Sequence, residues 1–320
     1  MSAHNGIMKI GIDIMGGDYA PEVTMSGADL AKQSIGDEFG LVLYGDGNTI
    51  EQHLKKRGVS NDHYEIIHCE DQIGMNEHPS KSFSSKPESS IVKGFNDLMK
   101  KKIEGFASAG NTGAMLVAAM HTVKSIPGII RPCIAAALPK ANDKHSIILD
   151  VGINPDARPD VLYQYGILGS VYAKNIYNIE KPRVGLLNIG SEAEKGNLLT
   201  KTAFELMRYS HEFEFIGNVE GNQIFSRDDA DVIVCDGFVG NVVLKEAEAF
   251  YEVFKKRGIK DDFLEKFNFE KIGGTPILGI NSNVVIGHGI SNETAIKNMI
   301  LHAVKTVKEN LSDKIKAQFN

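Results

Sequence analysis

A three-layer α/β/α sandwich around a mostly parallel sheet is predicted for this 320-residue chain by three observations. Short apolar, β-branched runs alternate with helical patterns along its length. Most of those runs lack polar alternation, as expected of strands covered on both faces. Three turns rich in Gly, Asn, Ser and Thr, at Ser108–Gly113, Asn188–Asn197 and Asp236–Asn241, each stand between an apolar run and a helical pattern.

Strands are expected at Met8–Ile14, Leu41–Tyr44, Tyr64–His68, Gly105–Ala109, Ser146–Val151, Arg183–Asn188, Phe213–Gly217, Asp231–Asp236 and Val284–His288. A helix over 111–124 takes its N-cap from Asn111 or Ser108. Asn241–Lys256 places Val243, Ala247, Phe250, Tyr251 and Phe254 on one face. Asn292–Leu311 does the same with Ile296, Met299, Ile300, Ala303, Val304 and Val307, capped by Ser291 or Asn292. Gly74–Ser90, rich in Ser, Lys and Pro, reads as an exposed loop, with a mobile cover over the site as the alternative. Without a repeat, low-complexity tract or Pro-rich linker, the reading is one domain over 1–320, with a short protruding helical excursion near 246–271. The length also accommodates two smaller domains.

Hydrophobic residues are 42% and charged residues 24%, an ordinary globular balance. Lys plus Arg is 35 against 41 for Asp plus Glu, a net charge of −6 that argues against general nucleic-acid binding. No apolar run approaches the roughly 18 residues of a spanning helix. Ile129–Leu138 is interrupted by Arg131 and Pro132, and the first six residues show no leader pattern. Cys69, Cys133 and Cys235 stand far apart, so neither a disulfide framework nor a zinc site is expected, and a reducing cytoplasm is the default.

The chemistry gathers at the three turns. A helix start exposes unpaired N–H groups and the positive end of a dipole, and glycine lets a ligand approach the backbone. Three such turns suggest an anion site, most simply for phosphate. Asn188–Asn197 fails the GxxxxGK[ST] pattern, because Lys195 precedes Gly196, so nucleotide hydrolysis is disfavoured. Lys195 supplies a positive charge to an oxyanion or remains a solvated lysine. Asn188, Gly190, Gly196 and Asn197 around it make the two readings about even. Ser108, Asn111 and Thr112 offer hydroxyl and amide donors, and capping by Asn111 leaves other donors available. Asp236 and Asn241 flank the third turn, where Asn241 polarises a carbonyl or caps the helix.

Elsewhere the structural reading leads. Asp13 and Asp18 surround Met15-Gly-Gly, which lacks dinucleotide-fingerprint spacing; a tight turn bonded to local backbone leads, with loop orientation or a metal as the alternative. Asp150, Asn154 and Asp156 line another strand end, where loop support leads and approach to the substrate is the alternative. Cys235 lies in an apolar strand, where an inert thiol is commoner than a nucleophile, and His288 has no sequence-level partner. With neither GxSxG nor HExxH, the economical scheme makes the substrate anion itself the nucleophile. Phosphate attacks a thioester, whose thiol, with a pKa near 8.5, is a competent leaving group. The protein positions the reactants and stabilises the oxyanion.

Taken in order, several segments resemble the bacterial PlsX phosphate acyltransferases over nearly the whole chain. They are Asp13–Asp18, Ser108–Ala114, Leu149–Gly152, Arg183–Gly190, Lys195–Asn197, Phe215–Gly221, Asp231–Asn241 and Gly273–Pro276. The resemblance implies a sandwich related to phosphotransacetylases and isopropylmalate dehydrogenases. It implies acyl-phosphate formation from acyl-acyl carrier protein and inorganic phosphate, feeding phospholipid synthesis. A homodimer and functional coupling to a membrane glycerol-3-phosphate acyltransferase come with it. Lys195 and Asn241 are then the catalytic candidates. Ser108, Asn111, Thr112, Asn188, Asn197 and Asp236 are the candidates for phosphate and substrate binding. No metal or organic cofactor is expected.

Two departures stand out. The 81–88 segment is less basic than the family's, and Glu246–Lys271 is short where the family carries longer amphipathic helices for membrane contact. Phe263, Leu264, Phe267 and Phe269 beside Lys260 and Lys266 form a small interfacial patch or pack on protein. Lys100–Lys102 and Lys255–Arg257 are the basic clusters open to an acidic carrier protein. Rival readings are a phosphotransacetylase acting on short acyl-coenzyme A and a non-catalytic scaffold.

Overall fold

The computed structural model describes residues 6–60 and 63–319. The segment read for a leader, apart from Gly6, and the Phe269 side chain lie outside the described parts. The chain divides into two compact units. The first holds residues 1–124, 270–276 and 280–312; the second holds 125–269, 277–279 and 313–320. Because the chain passes from one to the other five times, no linker composition marks the division.

The first unit begins with β1 (Met8–Asp13), α1 (Glu22–Lys32), β2 (Phe39–Gly45), α2 (Gly47–Arg57) and β3 (Glu65–His68). It continues with α3 (Pro79–Ser85), α4 (Ser90–Met99), β4 (Gly105–Ser108) and α5 (Thr112–His121). The second contains β5 (Cys133–Pro139), β6 (His145–Leu149), α6 (Pro159–Tyr177), β7 (Arg183–Asn188) and α7 (Leu198–Met207). β8 (Glu214–Glu220), β9 (Val232–Val234) and α8 (Gly237–Lys256) follow. The remaining elements are α9 (Phe269–Ile272), β10 (Thr275–Leu278), β11 (Asn283–Ile286), α10 (Glu293–Lys308) and α11 (Leu311–Lys316).

In the first unit the strands run β3-β2-β1-β4-β11, all parallel, with Thr275 and Pro276 antiparallel to β11. Alternation along β1 explains the layers. Ile10 and Ile12 enter a core with Met25 and Ala28 of α1 and Ile296, Met299 and Ile300 of α10. Gly27 lets α1 and α10 touch, since a Cβ there would overlap Ile296. Gly11 points oppositely, where a Cβ would come within 2.9 Å of both Phe106 and Tyr44. On that face Phe95 of α4 meets Phe106 edge-on at 5.4 Å.

In the second unit β6, β9, β7 and β8 are parallel, and β5 is antiparallel to β6. Ile277 and Leu278 pair antiparallel with β5. α6 settles onto this sheet through Gly169, beside Leu149 and Val232. All nine expected strands are present, Arg183–Asn188 with the expected ends and the others with shifted ends. β5 and β10 are additions. β5 is fully buried but carries three alanines and one β-branched residue behind Arg131 and Pro132, and Pro276 disguises β10.

Gly74–Ser90 is more ordered than the loop reading: it contains α3, with Pro79 at the helix start. Glu77 accepts from Ser82 at 2.7 Å and from Lys86 at 2.6 Å. Past α8 the chain folds back on its own unit. Phe267 packs against Phe225 at 5.3 Å, Tyr251 donates to Glu265, and Lys266 pairs with Asp143. Phe263, Leu264 and Phe267 are therefore half-buried. No described helix is long and apolar enough to cross a membrane.

All three thiols are buried. Burial pushes Cys69 up to about 12 and Cys133 and Cys235 well above the ordinary thiol range. Titration with a thiol reagent at pH 8 is expected to find almost no reactive group in native protein and three after denaturation.

Candidate active site

The predicted residues lie at the ends of strands that lead into helices, divided between the units. Ser108, Asn111 and Thr112 are in the first; Asn188, Lys195, Asn197, Asp236 and Asn241 are in the second.

In the first unit a buried carboxylate organises the turns. Asp13 accepts the Ser108 hydroxyl at 2.6 Å and the Met15 N–H at 3.1 Å. Ser108 Oγ accepts from the Gly110 N–H at 2.9 Å. Gly16 is necessary here, because a Cβ would sit 2.7 Å from the Gly110 nitrogen. Burial raises the Asp13 carboxyl above its usual range, against hydrogen bonds from Ser108, Ser90 and the Met15 and Gly16 backbone. Asp18 donates its N–H to the Gly289 carbonyl at 2.8 Å, joining the turns after β1 and β11.

Asn111 caps α5, accepting from Ala114 at 3.0 Å. Its amide nitrogen is not left available as the capping argument expected. It donates to the carbonyls of Gly74, Met75 and Glu77 at 2.9–3.1 Å, tethering the loop before α3. Thr112 is exposed.

In the second unit the Lys195 loop is supported on several sides. The Asn188 amide donates to the Lys195 carbonyl and to Asn218 Oδ1, each at 3.1 Å. Asn218, buried, donates in turn to the Glu192 carbonyl at 2.8 Å. Gly190 makes room for the Lys195 stem: a Cβ there would lie 2.8 Å from Lys195 Cγ. Asn197 caps α7 by accepting from Thr200 at 2.9 Å. The backbone is tethered while the Lys195 side chain is exposed.

Asp236, not Asn241, caps α8, accepting from Val239 at 2.8 Å. Asn241 lies one turn into the helix, exposed, with its amide oxygen 3.4 Å from where a Gly152 Cβ would be. The seat of that helix is the 150–154 turn. Gly237 N–H donates to the Asn154 carbonyl at 2.8 Å, and a Cβ on Gly240 would overlap the Asp150 carbonyl. Asp150 accepts from Ile134, Ile153 and Asn154 backbone N–H groups and from the Asn154 amide, at 2.6–3.2 Å. Burial raises its carboxyl above the usual range while those bonds oppose the shift. Asp156 is exposed. Cys235 lies behind the helix with its thiol 3.6 Å from the Asp150 carbonyl, an inert environment.

Asn218 was not among the predicted site residues; its signal was its place in Phe215–Gly221, a strand-end segment carrying Gly and Asn. In the sequence Arg131 only interrupts an apolar run. Gly196 adopts φ +95°, and a Cβ there would overlap Thr200 Oγ1 and Asn188 Oδ1. Gly196→Ala is expected to destabilise the protein by about 1–3 kcal/mol, measured by denaturant unfolding, and to lower turnover through the displaced loop.

Comparison with known proteins places this geometry in a family. The model for "Fatty acid synthesis protein" matches residues 8–263. A phosphate acyltransferase of Halothermothrix orenii is 41% identical, covering 98% of this chain and 99% of its own. One from Dictyoglomus turgidum is 39% identical over 96% of each. Among solved structures, the fold is similar to the EutD phosphotransacetylase of Staphylococcus aureus, with a TM-score of 0.64, 16% identity and 94% of each chain covered. A Streptococcus pyogenes phosphotransacetylase gives 0.63, 17% and the same coverage. With a family match over most of its length and close relatives over nearly all of it, this chain belongs to the fatty acid synthesis protein family of phosphate acyltransferases.

Proposed function

We propose that this chain transfers an acyl group from acyl carrier protein to inorganic phosphate, producing acyl phosphate and free carrier-protein thiol for phospholipid synthesis. The observation that carries the reading is the support given to two exposed donors of one unit, Lys195 and Asn241, at the ends of parallel strands. A phosphate oxygen attacks the thioester carbonyl and forms the new C–O bond. The carbonyl electrons move to oxygen, where the Asn241 amide N–H and the Lys195 ammonium stabilise the negative charge. Collapse re-forms the carbonyl and breaks the C–S bond, and the thiolate departs, taking a proton from solvent. No protein nucleophile is required, consistent with the buried Cys235.

Asn188, Asn197 and Asp236 shape the two turns, through a loop tether and two helix caps. In the first unit Ser108 and Asn111 hold the turn after β4 that carries the exposed Thr112. Of the basic clusters, Lys100–Lys102 enters β4 from the end opposite Ser108, whereas Lys255–Arg257 ends the helix that begins near Asn241. A second copy of the chain, a cytoplasmic site of action with peripheral membrane contact, and coupling to a membrane glycerol-3-phosphate acyltransferase belong to the same reading. Exposed Phe238, Val242, Phe250 and Val253 along α8 support a covered apolar face.

Purified protein given acyl-carrier-protein thioester and phosphate is expected to form acyl phosphate, and to prefer that thioester over acyl-coenzyme A. No product, or a strict requirement for nucleotide, contradicts the reading. Lys195→Ala is expected to lower turnover by about two to three orders of magnitude. Near-wild-type turnover in a folded variant removes Lys195 from the mechanism.

A further inference from the structure

Arg131 stands immediately before β5. Antiparallel pairing of Ala135 with Leu149 brings the start of β5 to the end of β6, so Arg131 shares a rim with the 150–154 turn and the start of α8. It is exposed, and its Nη1 lies 3.5 Å from the Asn154 side-chain oxygen.

Asn154 is well suited to hold a guanidinium in place. It is 4% exposed. Its amide nitrogen is engaged by the Pro132 carbonyl, the Asp150 carboxylate and the Tyr165 hydroxyl at 2.7–3.1 Å. That fixes which face of the amide is oxygen and directs it at Arg131. Its own carbonyl accepts from Gly237, the first residue of α8. One buried residue therefore links the Arg131 fork to the helix that carries Asn241.

Among the described residues no carboxylate answers the charge of Arg131. Among the described residues, Arg57, Arg158, Arg183, Arg208 and Arg227 each pair with a carboxylate. Arg131 and Arg257 have no such pair among them; Arg257 is at the end of α8, whereas Arg131 lies on the rim where open α/β sheets bind ligands. The nearby carboxylate, Asp150, is turned inward onto four N–H donors. An exposed planar cation aimed by a buried amide suits a phosphate group, which a guanidinium grips through two parallel hydrogen bonds.

We propose that Arg131 is a phosphate-binding residue of this site and that Asn154 is its positioning residue. The inference rests on the acyl-transfer reading for its role in turnover. The phosphate group has two sources: free orthophosphate, or the phosphodiester of the carrier protein's pantetheine arm.

Steady-state kinetics of Arg131→Gln and Arg131→Lys, varying each substrate separately, test it. Because Arg131 is exposed, both variants are expected to fold, which thermal melting checks. Arg131→Gln is expected to raise one KM roughly tenfold or more. A rise for inorganic phosphate assigns the orthophosphate; a rise for the thioester alone assigns the arm. Arg131→Lys is expected to restore part of the loss, keeping the charge without the fork. Unchanged KM values for both substrates overturn the proposal. Should the wild-type protein transfer no acyl group, the functional reading fails while Arg131 is still decided by the Tm increase that inorganic phosphate produces. A smaller increase in Arg131→Gln assigns the orthophosphate; an equal one excludes that source, and equal Tm increases of both proteins with the thioester-loaded carrier protein as well overturn the proposal.

Discussion

Two buried carboxylates placed where strands give way to turns are the constraint on which the rest of this structure depends. Asp13 ends β1 and Asp150 follows β6. Each accepts several N–H or O–H donors from its own turn and from a neighbouring strand end. A buried carboxylate left unpaired is costly, and each buried donor deprived of its acceptor costs about 1–3 kcal/mol. The satisfied arrangement is therefore strongly favoured, and it dictates where the following glycines must be. Gly16 and Gly237 lie against Asp13 and Asp150 so closely that neither position has room for a Cβ.

The two rims of the second unit's sheet use charge in opposite ways. At the start of β7 and β9, Asp231 accepts from buried Lys140 at 3.2 Å and from Arg183 at 3.0 Å, closing the charges on one another. Burial pulls the Lys140 ammonium below its ordinary range, while Asp231 opposes the shift. At the other rim Lys195 and Arg131 are exposed cations whose supports are amides and carbonyls. Amide supports orient a cation without neutralising it. A rim built this way leaves its positive charge unneutralised, which the proposed stabilisation of an oxyanion by fixed donors requires.

Much of this was legible in the residues. Apolar runs located nine strands; those buried on both faces, such as β4 and β9, carry a strong local signal, and the edge strands β3 and β8 were found by their apolar residues despite partial exposure. The three turns were visible because Gly, Asn and Ser serve few other purposes between a strand and a helix. Asn111 illustrates what local reading misses: its cap follows from sequence, but its bonds to Gly74, Met75 and Glu77 depend on a loop more than 30 residues away. Asn241 was weighed as a cap because Asn commonly caps, and Asp236 took that place five residues earlier. Arg131 was hidden by its neighbours, since an arginine before a proline reads as punctuation until antiparallel pairing carries it to a strand end. The two-unit division was unreadable because its boundaries are set by tertiary contacts rather than by linkers.

Hydrogen–deuterium exchange on Asp150→Asn, with turnover measured alongside, addresses the central claim most directly. An amide replaces one accepting oxygen with a donor, which must then face an N–H. Faster exchange confined to the peptides spanning 149–154 and 237–241, with reduced turnover and an otherwise native pattern, is the expected result. Wild-type exchange in both peptides together with wild-type turnover would show that the inward-facing carboxylate does not hold the reactive rim in place.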